Sequence, residues 1–249
     1  MKRFFLFLAF LFAAPAQASI VLVSASSQYA ESNTAPVTAT AFSISVWVKT
    51  DQVTAAAAVV FIGDKDATNN HWTIRYEANV ANDPLRCRSR NTTGADDATI
   101  DTGGLSMNGN WRHVVCVYSS STSRTPYISA SAGTTGTTSS TPTVSDRISV
   151  GRNGDSTPDE YWSGRLAEVC IYSMALSSTD VTNLYNGGAG TPCTNVQNAS
   201  LVAYYKLISD ANDSKGTNHL TTGGSPTFDA ADHPVTHPVA SRPQVIIVE

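Results

Sequence analysis

The chain has 249 residues, a formal net charge of −4 and 41% hydrophobic residues. This length and apolar content are sufficient for one large domain with a core of its own. Charged residues make up only 14% of the chain, and the sequence has no basic run that could neutralise a row of phosphates. The composition therefore argues against a nucleic-acid-binding protein and is typical of β-rich extracellular proteins.

The N-terminus has the three parts of a secretory signal peptide. A basic start is followed by an apolar run over residues 4–14 and by a small-x-small cleavage site, Ala16-Gln17-Ala18. The run is too short to cross a bilayer, which needs about 20 residues. We expect residues 1–18 to be removed, and the mature protein to be secreted, periplasmic or at the cell surface without stable membrane insertion.

Along the mature chain, apolar and polar residues alternate in many short segments, which is typical of half-buried β-strands. The predicted strands cover residues 19–23, 42–49, 58–62, 72–78, 85–90, 111–118, 127–130, 147–150, 165–172 and 201–207. One short helix is predicted near 178–186, with Ser177 or Ser178 as its cap. Many short strands with a single helix predict a β-sandwich or a barrel.

The strand at 85–90 shows this alternation clearly. Its apolar or small residues are separated by three arginines, Arg86, Arg88 and Arg90. Because successive side chains of a strand point to opposite faces, we expect the three arginines on the solvent side of the sheet.

Four cysteines are present: Cys87, Cys116, Cys170 and Cys193. An even number in an exported chain predicts two disulfides, and no Cys-x-x-Cys or zinc-type spacing is present. Three pairings are compatible with the sequence. We favour Cys170–Cys193, which would clip the helical segment to the strand before it, and Cys87–Cys116 then follows by elimination.

Four segments resemble the laminin-G-like, or concanavalin A-like lectin-glucanase, jelly-roll family. They are FSISVWVK at 42–49, WRHVVCVY at 111–118, ISVGR at 148–152 and YWSGRLAEVCIYSMALSSTDVTNLYNGG at 161–188. Their order and spacing carry the resemblance more than any single segment does. It implies an all-β fold, a two-sheet antiparallel jelly-roll sandwich with the short helix near 178–186 as decoration.

The last quarter of the chain resembles the same family in a different order. SLVAYYKL at 200–207 is similar to the strand that usually opens these domains. This order, together with the Asp-His-Pro at 232–234, resembles proteins carried by bacteriophages and prophages. We expect the sandwich to cover residues 19–232, completed by the strand at 200–207, and residues 233–249 to form a C-terminal strap or tail.

The acidic residues argue against catalysis. The resemblance implies two adjacent acids in the segment that corresponds to residues 164–168, but this chain has only Glu168 there. Glycosidases of this fold carry acids at alternate positions of one strand, and retaining hydrolysis needs two carboxyl groups about 5 Å apart. No Glu-x-Asp-x-x-Glu run is present, and the glutamates of the mature chain are scattered. We therefore expect a protein that is not an enzyme.

Two polar loops, 64–70 and 153–159, are the candidate ligand-binding segments. Some laminin-G-like and pentraxin-like relatives bind Ca²⁺ at a rim, and the resemblance implies four candidate ligands here: Asp64, Asp66, Asn70 and Asp155. The alternative is ordinary turn formation, since Asp and Asn side chains bond their own backbone in turns. Calcium is thus the one cofactor that the sequence suggests.

A carbohydrate site would combine an aromatic platform with a few polar groups. The candidate contacts are Trp72, Tyr161, Asp155 and Asn70. The alternative for Trp72 is a place in the core of the sandwich.

Together these features favour an exported, non-catalytic binding or adhesion module that recognises a carbohydrate or a surface partner. Two alternatives stay open. The first is a phage- or prophage-derived structural or decoration protein with a virion partner, and the second is a polysaccharide-active hydrolase or lyase.

Overall fold

The computed structural model describes residues 18–51, 55–78, 81, 83–100, 109–229 and 232–237. All but the last residue of the expected signal peptide, and residues 238–249 of the expected tail, lie outside this part of the chain.

The described residues form fifteen strands and one α-helix. The strands are β1 Ser19–Leu22, β2 Tyr29–Ser32, β3 Phe42–Thr50, β4 Ala56–Gly63, β5 His71–Glu77, β6 Leu85–Asn91, β7 Gly94–Ile100, β8 Arg112–Ser120, β9 Ser123–Ile128, β10 Ser131–Ala132, β11 Arg147–Val150, β12 Gly164–Tyr172, β13 Leu201–Tyr205, β14 Thr221–Gly223 and β15 Thr227–Asp229. The helix, α1, covers Ser178–Tyr185, as predicted to within a residue. Each predicted strand is present, but β2, β7, β10, β14 and β15 were not predicted.

One predicted strand is displaced. The sequence predicted residues 127–130, whereas β9 covers Ser123–Ile128. Ser129 and Ala130 have φ angles of 48° and 65°, which belong to a left-handed turn and not to a strand. This turn leads into β10, which pairs back on β9.

The strands form two antiparallel sheets. The order is β10-β9-β8-β3-β12-β1-β15 in the eight-stranded sheet, where β13 also pairs with β12, and β14-β2-β11-β4-β5-β6-β7 in the seven-stranded sheet. The fold is therefore the all-β, two-sheet jelly-roll sandwich that the sequence predicted.

The core lies between the two sheets and follows from the alternation of each strand. Ile44 and Val46 of β3 face Val60 and Ile62 of β4, and all four are fully buried. Burial of one such side chain contributes about 1.5–3 kcal/mol. The Cys87–Cys116 disulfide joins β6 of one sheet to β8 of the other through this core.

A second apolar layer covers the outer face of the eight-stranded sheet. Helix α1 starts at a capping box between Ser177 and Asp180 and packs Val181 and Leu184 against this face. The Cys170–Cys193 disulfide ties β12 to the segment that follows the helix, so both predicted pairings are present. This face is therefore closed by protein.

Strand β12 is central and changes neighbours along its length. Its first half, Gly164–Leu166, pairs with β1, and its second half, Val169–Tyr172, pairs with β13. The late strand at Leu201–Tyr205 thus pairs with the other end of β12, on the same side of β12 as β1. The described residues include no helix long and apolar enough to span a membrane.

Candidate functional site

The outer face of the seven-stranded sheet is the polar face of the molecule. Along β5, Trp72 and Ile74 point into the core, so the alternate residues His71, Thr73 and Arg75 point to the other side. On β6, Arg86, Arg88 and Arg90 are partly exposed between buried neighbours, as predicted. This face therefore presents hydrogen-bonding groups where the other sheet presents apolar ones.

A loop over residues 151–163 folds across this face. It is closed by a bridge between Asn153 and Asp159, whose backbone atoms are 3.0 Å apart (N to O). The backbone N of Ser156 donates to the carbonyl oxygen of Ala67 at 3.3 Å. The two loops that the sequence singled out therefore lie side by side.

The loop, β5 and β6 enclose a cavity of about 290 Å³, which we call the strand-face pocket. Its lining residues all carry polar side chains: Thr68, His71, Thr73, Arg88, Arg90, Asn153, Asp155, Thr157, Asp159 and Glu160. Guanidinium, amide and hydroxyl donors face carboxylate acceptors across this space. Such a surface suits a ligand that is rich in hydroxyl groups.

The charges in the pocket are arranged in pairs. Glu160 accepts two hydrogen bonds from Arg75, from Nε at 2.7 Å and from Nη2 at 2.5 Å. Asp155 accepts from the backbone N of Thr157 at 2.8 Å and from Nδ2 of Asn153 at 2.9 Å. Burial raises the pKa of Asp155, and these hydrogen bonds oppose that rise while the nearby carboxylates add to it.

The structure brings only part of the predicted carbohydrate site together. Asp155 lines the strand-face pocket, and Tyr161 follows on the same loop but packs elsewhere. Its ring lies near Tyr29, and the guanidinium of Arg152 sits 3.5 Å from the Tyr29 ring centroid and 5.9 Å from that of Tyr161. Asn70 is buried at the end of the 64–70 loop. Its Oδ1 accepts a hydrogen bond from the backbone N of Thr143 at 2.6 Å, so its side chain supports the loop.

Trp72 lies in the core. Its side chain is fully buried, with its ring centroid 5.0 Å from Phe42 and 6.5 Å from Tyr118. A ring in this position has no face open to a sugar, so we leave it out of the ligand contacts. The alternation of β5 explains this, since residue 72 shares its face with the apolar Ile74 and Tyr76.

The two acids of the 64–70 loop form a cluster with Asp146, and the ammonium group of Lys65 lies within it. Carboxylate oxygens of Asp64, Asp66 and Asp146 lie within 4.8 Å of one another, and Nζ of Lys65 lies 2.7 Å from both Asp66 and Asp146. These hydrogen bonds raise the pKa of Lys65 to about 12. Burial alone would raise the pKa of Asp146, but its bonds to Lys65 hold it below the usual range.

This arrangement does not fit a calcium ion. Calcium takes six to eight oxygen ligands, whereas an ammonium group already occupies the space between two of these carboxylates. The remaining oxygens of Asp64 accept from the backbone N of Asp66 at 2.9 Å and from Asn70 at 3.3 Å. Asp155 is not part of the cluster. We therefore derive no function from calcium.

A larger cleft of about 670 Å³ lies beside α1. Hydroxyl and amide groups line it, including Asn183, Asn186 and Gln197. Its carboxylate, Asp180, is already used, because it caps the helix and accepts from Nε2 of Gln197 at 2.9 Å. The strand-face pocket is the better candidate for a ligand-binding site, since its charged groups converge from two strands and a braced loop.

Sequence reasoning missed most of the pocket lining. Arg88 and Arg90 were assigned to the correct face but not to a site, and His71 was not considered. The signal available was the alternation of arginines on β6 beside a polar loop. What could not be read was that residues 153–160 fold over strands more than sixty positions earlier in the chain.

Comparisons with known proteins support the β-sandwich fold. A family model described as the concanavalin A-like lectin/glucanases superfamily (Laminin_G_3) matches residues 24–182. The chain belongs to this superfamily. No curated protein sequence matches the chain.

Solved structures of the superfamily fold are similar at low sequence identity. A candidate carbohydrate binding protein from Bacteroides ovatus aligns over 90% of this chain and 62% of its own length, with a TM-score of 0.62 and 15% identity. The heptameric SAP-like pentraxin from Limulus polyphemus aligns over 89% and 99%, with a TM-score of 0.63 and 11% identity. NanB sialidase from Streptococcus pneumoniae aligns over 68% and 28%, with a TM-score of 0.50 and 13% identity. This chain thus spans less than two thirds of the Bacteroides protein, and these likenesses establish the fold.

Proposed function

We propose that this chain is a non-catalytic carbohydrate-binding module and that an oligosaccharide binds in the strand-face pocket. The observation that carries the proposal is the lining of that pocket, in which every residue offers a hydrogen-bonding group. Membership of a superfamily of lectins and glucanases supports it, as does the fold shared with a candidate carbohydrate binding protein. Function depends on the site and not on the fold alone, so the pocket bears most of the argument.

The charge balance of the pocket favours a neutral glycan. Glu160 is paired with Arg75, which also contacts Glu77, and the pocket lining carries two arginines, Arg88 and Arg90, and two aspartates, Asp155 and Asp159. A sugar hydroxyl can donate to a carboxylate and accept from a guanidinium, so neighbouring hydroxyls fit between such groups. A strongly anionic glycan would gain from the arginines but would be repelled by the two aspartates.

We also propose that the chain is exported. Two disulfides are present among the described residues, and such bonds form and persist in oxidising compartments. A lectin-like module that acts outside the cytoplasm would display the strand-face pocket to glycans of a cell or of the medium. The N-terminal segment would serve as its secretion signal.

Glycoside hydrolysis is a second candidate, because Asp155 has a raised pKa beside two further carboxylates. Against it, Glu160 is held by two hydrogen bonds from Arg75, and Asp155 already accepts from Thr157 and Asn153. Both groups are therefore committed to the scaffold and not exposed as a free acid and base. Release of reducing ends from polysaccharides would favour this candidate over simple binding.

A glycan array tests the proposed function. We expect the disulfide-bonded chain to bind neutral oligosaccharides with and without EDTA, and Arg90→Ala or Asp159→Ala to lose most of the signal. Asp210→Ala is the matched control, since Asp210 is exposed and lies outside the pocket. No binding to any glycan by the folded wild-type chain would contradict the proposal, as would binding that survives both pocket variants.

A further inference from the structure

We infer that Glu168, His233 and His237 form a binding site for one divalent transition metal ion of the Zn²⁺ type. Each residue offers one ligand atom, and these atoms all lie within 4.8 Å of one another. The cluster lies on the eight-stranded sheet and is separate from the strand-face pocket. Two imidazoles and one carboxylate are a common ligand set of zinc sites in proteins.

The backbone at Glu168 is distorted in a way that aims its side chain. The residue has a φ of 54°, which non-glycine residues rarely adopt, and it lies in a bulge between Ala167 and Cys170. This is the point at which β12 exchanges β1 for β13 as its neighbour. Bulges re-aim single side chains, and strained residues of this kind cluster at functional positions.

The carboxylate of Glu168 is buried and needs a positive partner. Its side chain is 1% exposed, and the hydroxyl of Tyr204 donates to its Oε2. In the described part of the chain, its salt-bridge partners are His233 and His237, whose Nε2 atoms lie 3.4 Å and 2.7 Å from Oε1. A divalent ion bound by the two imidazoles would supply the compensating charge that a buried carboxylate needs.

Both ring nitrogens of His233 lie near hydrogen-bonding groups. Nδ1 is 2.8 Å from the carbonyl oxygen of Val235 and 3.2 Å from its backbone N, and Nε2 is 3.2 Å from the carbonyl oxygen of Lys206. In the tautomer that carries the proton on Nδ1 and donates it to the Val235 carbonyl, Nε2 turns a lone pair toward Oε1 of Glu168 and can bind a metal ion together with it. Metal-binding histidines commonly donate their other N–H to a backbone carbonyl.

The two distances between Glu168 and the histidines are close to those of a zinc site. Zinc binds imidazole nitrogen and carboxylate oxygen at about 2.0–2.2 Å, which places two tetrahedral ligands about 3.3 Å apart. The contact of Glu168 with His233 already has this length, at 3.4 Å. His237 would have to move outward by about half an ångström, and its side chain is 10% exposed at the surface of the strap.

The metal would fasten the strap to the sandwich. His233 and His237 both belong to the described part of the strap, residues 233–237, and Val235 between them packs on Trp47 and Ala167. A cavity of about 360 Å³ opens beside His237 and Tyr204, from which water or another donor can complete the coordination shell. The ion would therefore join the C-terminal strap to the bulge of β12.

The test is zinc binding by the untagged, EDTA-treated full chain. Titration calorimetry and elemental analysis should give one Zn²⁺ per chain in the wild type. His237→Ala should weaken binding by at least about 100-fold, since loss of even an outer partner of a metal ligand costs 10–100-fold. X-ray absorption of the zinc complex should show only nitrogen and oxygen ligands, including two imidazoles.

Two variants serve as controls. Thr236→Ala changes the strap without removing a ligand, and His219→Ala removes an exposed histidine elsewhere, so both should bind zinc as the wild type does. Circular dichroism verifies that each variant is folded, and His237→Ala is preferred to a Glu168 variant because His237 lies at the surface. A wild-type chain that binds no zinc, or a folded His237→Ala that binds it equally well, would overturn the inference and show a plain histidine–carboxylate contact.

Discussion

Arg75 of β5 holds Glu160 of the 151–163 loop through two hydrogen bonds, Nε to Oε2 at 2.7 Å and Nη2 to Oε1 at 2.5 Å. A guanidinium bound to a carboxylate in this two-pronged way fixes both position and orientation. The pair joins β5 to the 151–163 loop. The sheet and this loop form the walls of the strand-face pocket. The shape of the pocket therefore depends on this ion pair.

Glu160→Gln should loosen the loop and weaken glycan binding. The variant removes one charge-assisted pair, so we expect the free energy of unfolding to fall by about 1–3 kcal/mol and the Kd for a bound oligosaccharide to rise. Asp229→Asn is the matched control, because Asp229 accepts from Nη2 of Arg165 at 2.5 Å on the other sheet, away from the pocket and its loop. Urea unfolding and calorimetry measure the two effects. Equal loss of glycan affinity in both variants would contradict this account.

Trp72→Phe should cost stability and leave ligand binding intact. Trp72 is fully buried against Phe42 and Tyr118, so a smaller ring leaves a cavity and lowers the free energy of unfolding by about 1–3 kcal/mol. Since no part of this ring reaches the surface, the Kd for the glycan should change less than about twofold. A tenfold weaker Kd in a stably folded variant would show that residue 72 contacts the ligand.

Removal of the Cys87–Cys116 disulfide should destabilise the sandwich more than removal of Cys170–Cys193. The two bonds span 29 and 23 residues, so loop closure predicts about 3–4 kcal/mol for each. All four cysteines are buried in apolar clusters, so alanine leaves a void at either bond, but only the first bond also links the two sheets across the core between them. Urea unfolding of the two double alanine variants measures the difference. A smaller loss for Cys87 and Cys116 would argue against their place in the main core.

His113 should make the fold sensitive to acid. Its ring is buried between Trp47 and Tyr185 and bonds to Oγ of Ser45 at 2.8 Å, and burial lowers its pKa to about 3. The unfolded chain therefore binds a proton below pH about 6.5 that the folded chain does not, and stability falls as the pH drops toward 3. This group alone should cost about 1.4 kcal/mol between pH 7.5 and 5.5.

The acid sensitivity is checked by urea unfolding at both pH values. His113→Gln should remove this part of the pH dependence, whereas His219→Gln, which changes an exposed histidine, should retain it. If His113→Gln and the wild type lose stability equally between pH 7.5 and 5.5, His113 is not held neutral in the fold.

Alternation predicted the strands of the core well because each core strand must bury every second residue. The short edge strands escaped prediction for the same reason: β2 reads YAES and β14 reads TTG, and neither carries an apolar stripe. Their strand form comes from pairing with β11 and with each other, which is a long-range effect.

The site was harder to predict than the fold. Asp155 could be named from the sequence because loop acids are conspicuous, but Arg88 and Arg90, which line the same pocket, come from a strand far earlier in the chain. Trp72 was open to two interpretations, since an isolated aromatic residue in an alternating strand can face either side. The register of β5 against β4 and β6 decides which face of the sheet carries Trp72. The alternation within one strand does not reveal that register.

The central claim is that a glycan occupies the strand-face pocket, and amide chemical-shift mapping tests it most directly. The isotope-labelled chain is titrated with an oligosaccharide that it binds on the array. The account predicts that the perturbed amides concentrate at His71, Thr73, Arg88 and Arg90 and in residues 153–160. Perturbations concentrated beside α1, around Asn183 and Gln197, would contradict it and place the ligand in the cleft on the opposite sheet.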